Sequence, residues 1–90
     1  MIDIDFLETH GILKTFLYLL DHPEGKRKTD IRIDCNLTTN ASIKVHQTLF
    51  KNGCLEIIGD PPQILFALSR KGIYFAQCLK DMQKYKESKL

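Results

Sequence analysis

The sixteen-residue interval from Leu37 to Gly53 constrains this 90-residue chain more than any other feature. It opens on Leu37-Thr38-Thr39-Asn40 and closes on a glycine, so it is bracketed as a helix is. Thr38 or Thr39 supplies a side-chain oxygen for the first unpaired N–H groups, and Gly53 stands in the C′ place where glycine ends helices. Between these marks Val45 and Leu49 lie one turn apart with Ser42, and Ile43 and Phe50 flank that face. The spacing predicts a helix reaching about Asn52. "CLEII" (54–58) and "QILFAL" (63–68) follow, rich in Ile, Leu and Phe and joined by "GDPP". This predicts a two-stranded hairpin with a short turn. Ser69 then caps a last helix from Arg70 to about Tyr85, with Phe75, Cys78, Leu79 and Met82 at helical spacing.

Upstream, Phe6, Leu7, Ile12, Leu13, Phe16, Leu17, Leu19 and Leu20 fit a helix over residues 6–20. Gly11 marks a possible true start, which leaves residues 1–10 as a lead-in. The apolar stripe is wider than one face needs, so this helix is expected to be buried on more than one side, by a second subunit. "DHPEG" (21–25) ends it. The next stretch, "TDIRIDCNLTTNAS" (29–42), contradicts itself. Ile31, Ile33, Cys35 and Leu37 alternate with Arg32, Asp34 and Asn36, which is the period of a half-buried strand. Thr29-Asp30 and Thr38-Thr39-Asn40 instead look like two helix starts.

The chain is long enough for one small domain that buries roughly 60–65% of its unfolded surface. Its 43% hydrophobic and 27% charged residues suit a globular core. No apolar run approaches the ~20 residues of a membrane span. "MIDID" has no basic leader, so a cytoplasmic location with no membrane partner is expected. Three widely spaced cysteines (Cys35, Cys54, Cys78) form no C-x-x-C pair and are expected to be small buried hydrophobes. His10, His22 and His46 lack a His or Cys partner at metal-ligand spacing. No metal, cofactor or small-molecule ligand is expected. Charge is unevenly spread. Residues 1–25 carry a net −4, residues 26–51 a net +4, residues 52–69 a net −2 and residues 70–90 a net +4. The two basic blocks are either a footprint for a polyanion or solvated faces.

"NLTTNASIKVHQTLFKNGCLEI" resembles the helix-turn-helix core of winged-helix transcription regulators. A leucine closes the turn, a polar cap starts the recognition helix, and leucine and glycine lead into the wing. Leu68-Ser69-Arg70-Lys71-Gly72 is similar to the family's junction between the second wing strand and the last helix. There Ser69 caps and Gly72 permits close approach to the sheet. The resemblance covers about residues 11 to 80, and is to small archaeal-type regulators and more loosely to the MarR and ArsR-like groups. It implies an α+β, mainly α, winged helix-turn-helix fold, with a three-helix core, a two- to three-stranded wing and a C-terminal helix. One domain then spans 1–90: helices 1–3 over 11–52 with the helix-turn-helix at 29–52, wing 53–68, last helix 69–85 and a frayed tail 86–90. Residues 29–36 become helix 2, with Ile31 and Cys35 buried and Ile33 on the wrong side. Residues 26–28 form a short strand or loop able to add a third wing strand.

The resemblance also implies sequence-specific binding of double-stranded DNA by a homodimeric transcriptional regulator. The recognition helix, about 39–52, would lie in the major groove and present Thr39, Asn40, Lys44 and Gln47 to base edges. Lys26, Arg27, Lys28, Arg32, Thr38, Lys51, Arg70 and Lys71 would meet phosphates. Phe6, Ile12, Phe16 and Leu19, with Phe75, Cys78, Met82 and Tyr85, would form the dimer seam, since a two-fold dimer matches a palindromic site. The sequence departs from the family at the wing tip, where "IGDPPQ" carries Asp60 and no cation. Asp30 and Asp34 on helix 2 are poorly placed for crossing phosphates. No Ser/His/Asp set and no glycine-rich phosphate loop is present, so an enzyme is not expected. Two other classes stay open: a winged-helix module for protein–protein contact, and a redox-responsive regulator in which Cys54 or Cys78 bridges subunits.

Overall fold

The computed structural model describes residues 11–88, with side chains as far as Lys84. Gly11 adopts a left-handed conformation (φ 87°), and a Cβ there would lie 2.5 Å from Leu37 Cδ2. Its carbonyl accepts from the backbone N–H and the hydroxyl of Thr15, and α1 (Ile12–Leu20) follows. Next come α2 (Lys28–Asp34) and α3 (Thr39–Lys51). Strands β1 (Leu55–Ile58) and β2 (Leu65–Leu68) lead into α4 (Arg70–Ser88), which runs past the predicted end at Tyr85.

The conflict within residues 29–42 is resolved as a helix. α2 begins at Lys28, one residue before the expected Thr29, behind Arg27 in extended conformation. Ile31 and Cys35, four apart, are buried, while Ile33 is 59% exposed. The helix ends on Asn36 at positive φ (55°), with the Leu37 N–H donating to the Arg32 carbonyl at 2.9 Å. This is a Schellman closure with asparagine at the left-handed position and a buried leucine after it. Leu37 thus closes the turn, and its alternation with Ile31, Ile33 and Cys35 has no strand to serve.

The hairpin is antiparallel, with Leu55 opposite Leu68 and Ile58 opposite Leu65. Lys26 adds one bridge to Phe66 through two backbone hydrogen bonds of 2.9 and 2.8 Å. Residues 26–28 therefore touch the wing at a single residue instead of adding a strand. Ile12, Phe16, Leu19, Ile31, Leu37, Val45, Leu49, Cys54 and Leu68 make one core with Ala76 of α4. The Phe16 and Phe75 rings stand 5.4 Å apart within it.

Burial corrects part of the expected dimer seam. Ile12, Phe16 and Leu19 lie in the core and have no surface left for a second chain. The wide stripe of α1 is shared differently: Leu13 is 47% exposed, and Leu17 and Leu20 are half-buried. α4 turns Ala76 inward with Phe75 and Leu79, leaving Cys78 and Met82 outside. Cys78 is therefore not the small buried hydrophobe that Cys35 and Cys54 are. Phe6 and the Tyr85 side chain lie outside the described residues. No helix among the described residues is long and apolar enough to cross a membrane.

Candidate nucleic-acid interface

α3 is built to be held from behind and to present its front. Thr38 caps it, its hydroxyl oxygen accepting from the Ala41 N–H at 3.1 Å. Ser42, Val45, His46 and Leu49 face inward. At 100° per residue, Asn40, Lys44, Gln47 and Lys51 then fall on one line directed away from that buried face. All four are exposed. Three of the four expected base readers thus share one row with Lys51, whereas Thr39 sits to one side. Thr39 lines a hollow of about 250 Å³ between α2 and α3, together with Lys28 and Arg32.

The expected phosphate contacts are distributed around this row. Lys28 and Arg32 stand on the α2 side of the first turn of α3. Lys26 is fixed beside β2 by its backbone bridge. Lys71, on the first turn of α4, reaches Gly53 just beyond the end of α3: its Nζ lies 3.9 Å from where a Gly53 Cβ would be. A cation there also favours the negative end of the helix dipole. Arg70 is exposed beside it. Arg27 differs, because its guanidinium makes two hydrogen bonds to Asp30, at 3.0 and 3.3 Å. Such an exposed pair contributes little, so exchange for a phosphate is cheap.

The acids of α2 that looked misplaced both have partners. Asp30 holds Arg27, and Asp34 accepts a hydrogen bond from the Tyr18 hydroxyl of α1. Burial and this carboxylate keep the Tyr18 phenol protonated far above its ordinary range. The wing tip brings no cation to the surface, as its sequence foretold.

Sequence reasoning missed the surface beside the row. His46, Gln47, Phe50 and Lys51 of α3, with Lys28 and Phe66, line a shallow depression of about 570 Å³. Ile43 and Phe50 stand 40% and 41% exposed at its walls. His46 forms its floor at 5% exposure, edge-on to Phe66 at 5.1 Å, and neither ring nitrogen has a hydrogen-bond partner among the described residues. Burial, and secondarily Lys28, pushes its pKa down to about 4. The legible signal was the flanking position of Ile43 and Phe50 on the α3 pattern. What covers them is a tertiary matter. Burial raises the Cys54 thiol despite Lys71, and Cys54 has no exposed surface through which to bridge subunits. Among the described residues no group of three or more His, Cys, Asp or Glu can hold a metal.

A helix pair closed by a tight turn, followed by an antiparallel hairpin laid between it and a terminal helix, defines a winged helix-turn-helix fold. The same fold is seen in MepR, a transcription regulator of the Staphylococcus aureus multidrug efflux pump MepA. MepR superposes with a TM-score of 0.71 at 18% sequence identity, over 90% of this chain and 64% of the MepR chain. The chain therefore spans less than two thirds of that protein's length. No protein-family model and no curated protein matches the sequence.

Proposed function

We propose that this chain is a transcription regulator that binds double-stranded DNA as a homodimer, with α3 in the major groove. The observation that carries the reading is the outward row Asn40-Lys44-Gln47-Lys51 on a helix whose other side is locked in the core. Asn and Gln amides match the adenine edge, and Lys the guanine edge. Thr39 joins Asn40, Lys44 and Gln47 from the α2 side, while Lys26, Arg27, Lys28, Arg32, Thr38, Lys51, Arg70 and Lys71 supply phosphate contacts that carry no sequence information. The fold shared with a transcription regulator supports the same reading.

Backbone contacts make the first test independent of any operator. If about five lysines and arginines of each protomer meet phosphates, affinity of the dimer for mixed duplex DNA should fall by about five orders of magnitude between 50 and 200 mM salt. Undetectable mobility shift even at low salt refutes the reading. Gln47→Ala should then weaken a selected operator about ten-fold or more while changing non-specific binding little. Equal loss on both removes Gln47 as a base reader. An acidic wing and the exposed Ile43 and Phe50 favour the protein-contact reading instead, and absence of duplex binding would leave that one standing.

The dimer seam is proposed on the apolar surface that remains among the described residues: Leu13, Leu17 and Leu20 of α1, with Cys78 and Met82 of α4. Leu13 and Met82, at 47% and 67% exposure, offer the apolar side chains that a second copy would cover. Light scattering at micromolar concentration should give a dimer for the wild type and a monomer for Leu13→Glu/Met82→Glu. A wild-type monomer defeats the dimer. Cys78 is the described cysteine available for a bridge between subunits, so oxidant-dependent DNA binding would have to vanish in Cys78→Ser.

A further inference from the structure

We infer that Ile43 is a specificity-determining residue that reads thymine through its 5-methyl group. This rests on the duplex-binding reading above and adds a residue to it. Ile43 lies four residues after Thr39 and four before Gln47, so it fills the turn between two expected base readers. It is also the ridge between the two hollows of this face. One hollow holds Thr39 and Arg32, the other Gln47 and Phe50, and both are lined by Ile43 and by Lys28. At 40% exposure its apolar surface is left uncovered among the described residues.

Duplex DNA matches an apolar ridge that has Thr39, Gln47, Lys28 and Arg32 around it and the Phe50 and Phe66 rings to one side. The major-groove edge of duplex DNA carries hydrogen-bonding atoms and a single kind of apolar group, the thymine methyl, with phosphates along both walls. Ile43 belongs to the N-terminal half of α3, the part of a recognition helix that meets base edges. A β-branched side chain is stiff at χ1 in a helix, so little rotamer freedom is lost when it packs on a methyl. Phe50, two turns further on, packs edge-on against Phe66 at 5.8 Å and is not assigned a base.

The test uses the full chain and removes only the methyl. Duplexes are selected from a random pool on the wild-type protein, then remade with deoxyuridine in place of thymidine at single positions. Wild-type affinity should fall about fourfold at each contacted thymine, the factor expected for one buried methyl-sized group, and stay level for substitutions outside the footprint. Ile43→Ser should bind the duplexes with thymine and with uracil at the position Ile43 contacts equally. Its exposed position leaves folding intact, which circular dichroism checks. Equal wild-type affinity for thymine and uracil at every footprint position overturns the inference while the DNA reading stands. So does a selected site without thymine, or discrimination at every thymine that survives in Ile43→Ser. If the wild-type chain selects no duplex at low salt, the DNA reading falls and this inference with it.

Discussion

Gly72→Ala is expected to destabilise the chain by about 2 kcal/mol, although helix propensity alone gives the opposite sign. Position 72 lies in the first turn of α4, where replacing glycine by alanine ordinarily gains up to about 1 kcal/mol. Here a Cβ would sit 2.2 Å from the Cys54 carbonyl oxygen and 3.1 Å from its carbon. That carbonyl already accepts the Ser69 N–H at 2.8 Å, and the Ser69 hydroxyl in turn donates to the Gly53 carbonyl at 2.7 Å. The same hydroxyl oxygen accepts from the Gly72 N–H at 3.1 Å, capping the helix. Nothing here is a flexible side-chain end that can swing aside. The backbone must separate, at about 1–3 kcal/mol for overpacking, and the Ser69 N–H bond is stretched at about 1 kcal/mol more. Contact therefore outweighs propensity. Thermal unfolding should show a loss of about 10 °C, with Gln77→Ala on the exposed side of α4 as a near-neutral control. A Gly72→Ala variant as stable as wild type would mean that α4 does not approach the hairpin this closely.

The second large effect is acid sensitivity centred on His46. In the unfolded chain its imidazole titrates near 6.5, whereas in the folded chain burial and Lys28 hold the pKa down to about 4. At pH 7.5 the ring is neutral in both states and titration contributes nothing. As pH falls below 6.5 the unfolded chain takes up a proton that the folded chain refuses, so folding stability drops progressively until about pH 4. The ceiling on this loss is about 3 kcal/mol. His46→Leu removes the titration and two ring nitrogens that lack partners among the described residues. The variant should gain about 1–2 kcal/mol at pH 7.5, and its lead over wild type should widen toward pH 4. Urea unfolding at pH 7.5, 6 and 4.5 measures both. Parallel pH curves for the two proteins would show that His46 stays solvated and titrates normally.

Much of this surface was legible because helix ends are written in local chemistry. Thr38, Leu37 and Gly53 bracketed α3 correctly, and Ser69 with Gly72 located the start of α4, because caps and close approaches demand particular residue types. Asn40, Lys44, Gln47 and Lys51 follow as the exposed row once the buried face of Ser42, Val45 and Leu49 is known. The misreadings came where the deciding partner is distant in sequence. Ile12, Phe16 and Leu19 look the same whether covered by a second subunit or, as here, by other elements of their own chain. Phe75-Cys78-Met82 follows helical spacing as well as Phe75-Ala76-Leu79 does, but small Ala76 is the residue that fits at the core.

The sequence by itself determined the element order, the two helix caps, the hairpin and the cation-free wing, since each rests on neighbours within a few residues. The family resemblance assigned residues 29–36 to a helix despite strand-like alternation, and the tertiary structure decided where that helix runs, from Lys28 to Asp34. A period of two has meaning only beside a partner strand, and at this point the chain offers β2 one bridge, from Lys26, before α2 begins. The tertiary structure likewise decided that Ile43 is a ridge and His46 a floor. Both sit on one helix within three residues, and what separates them is which of the two faces Phe66 and the core.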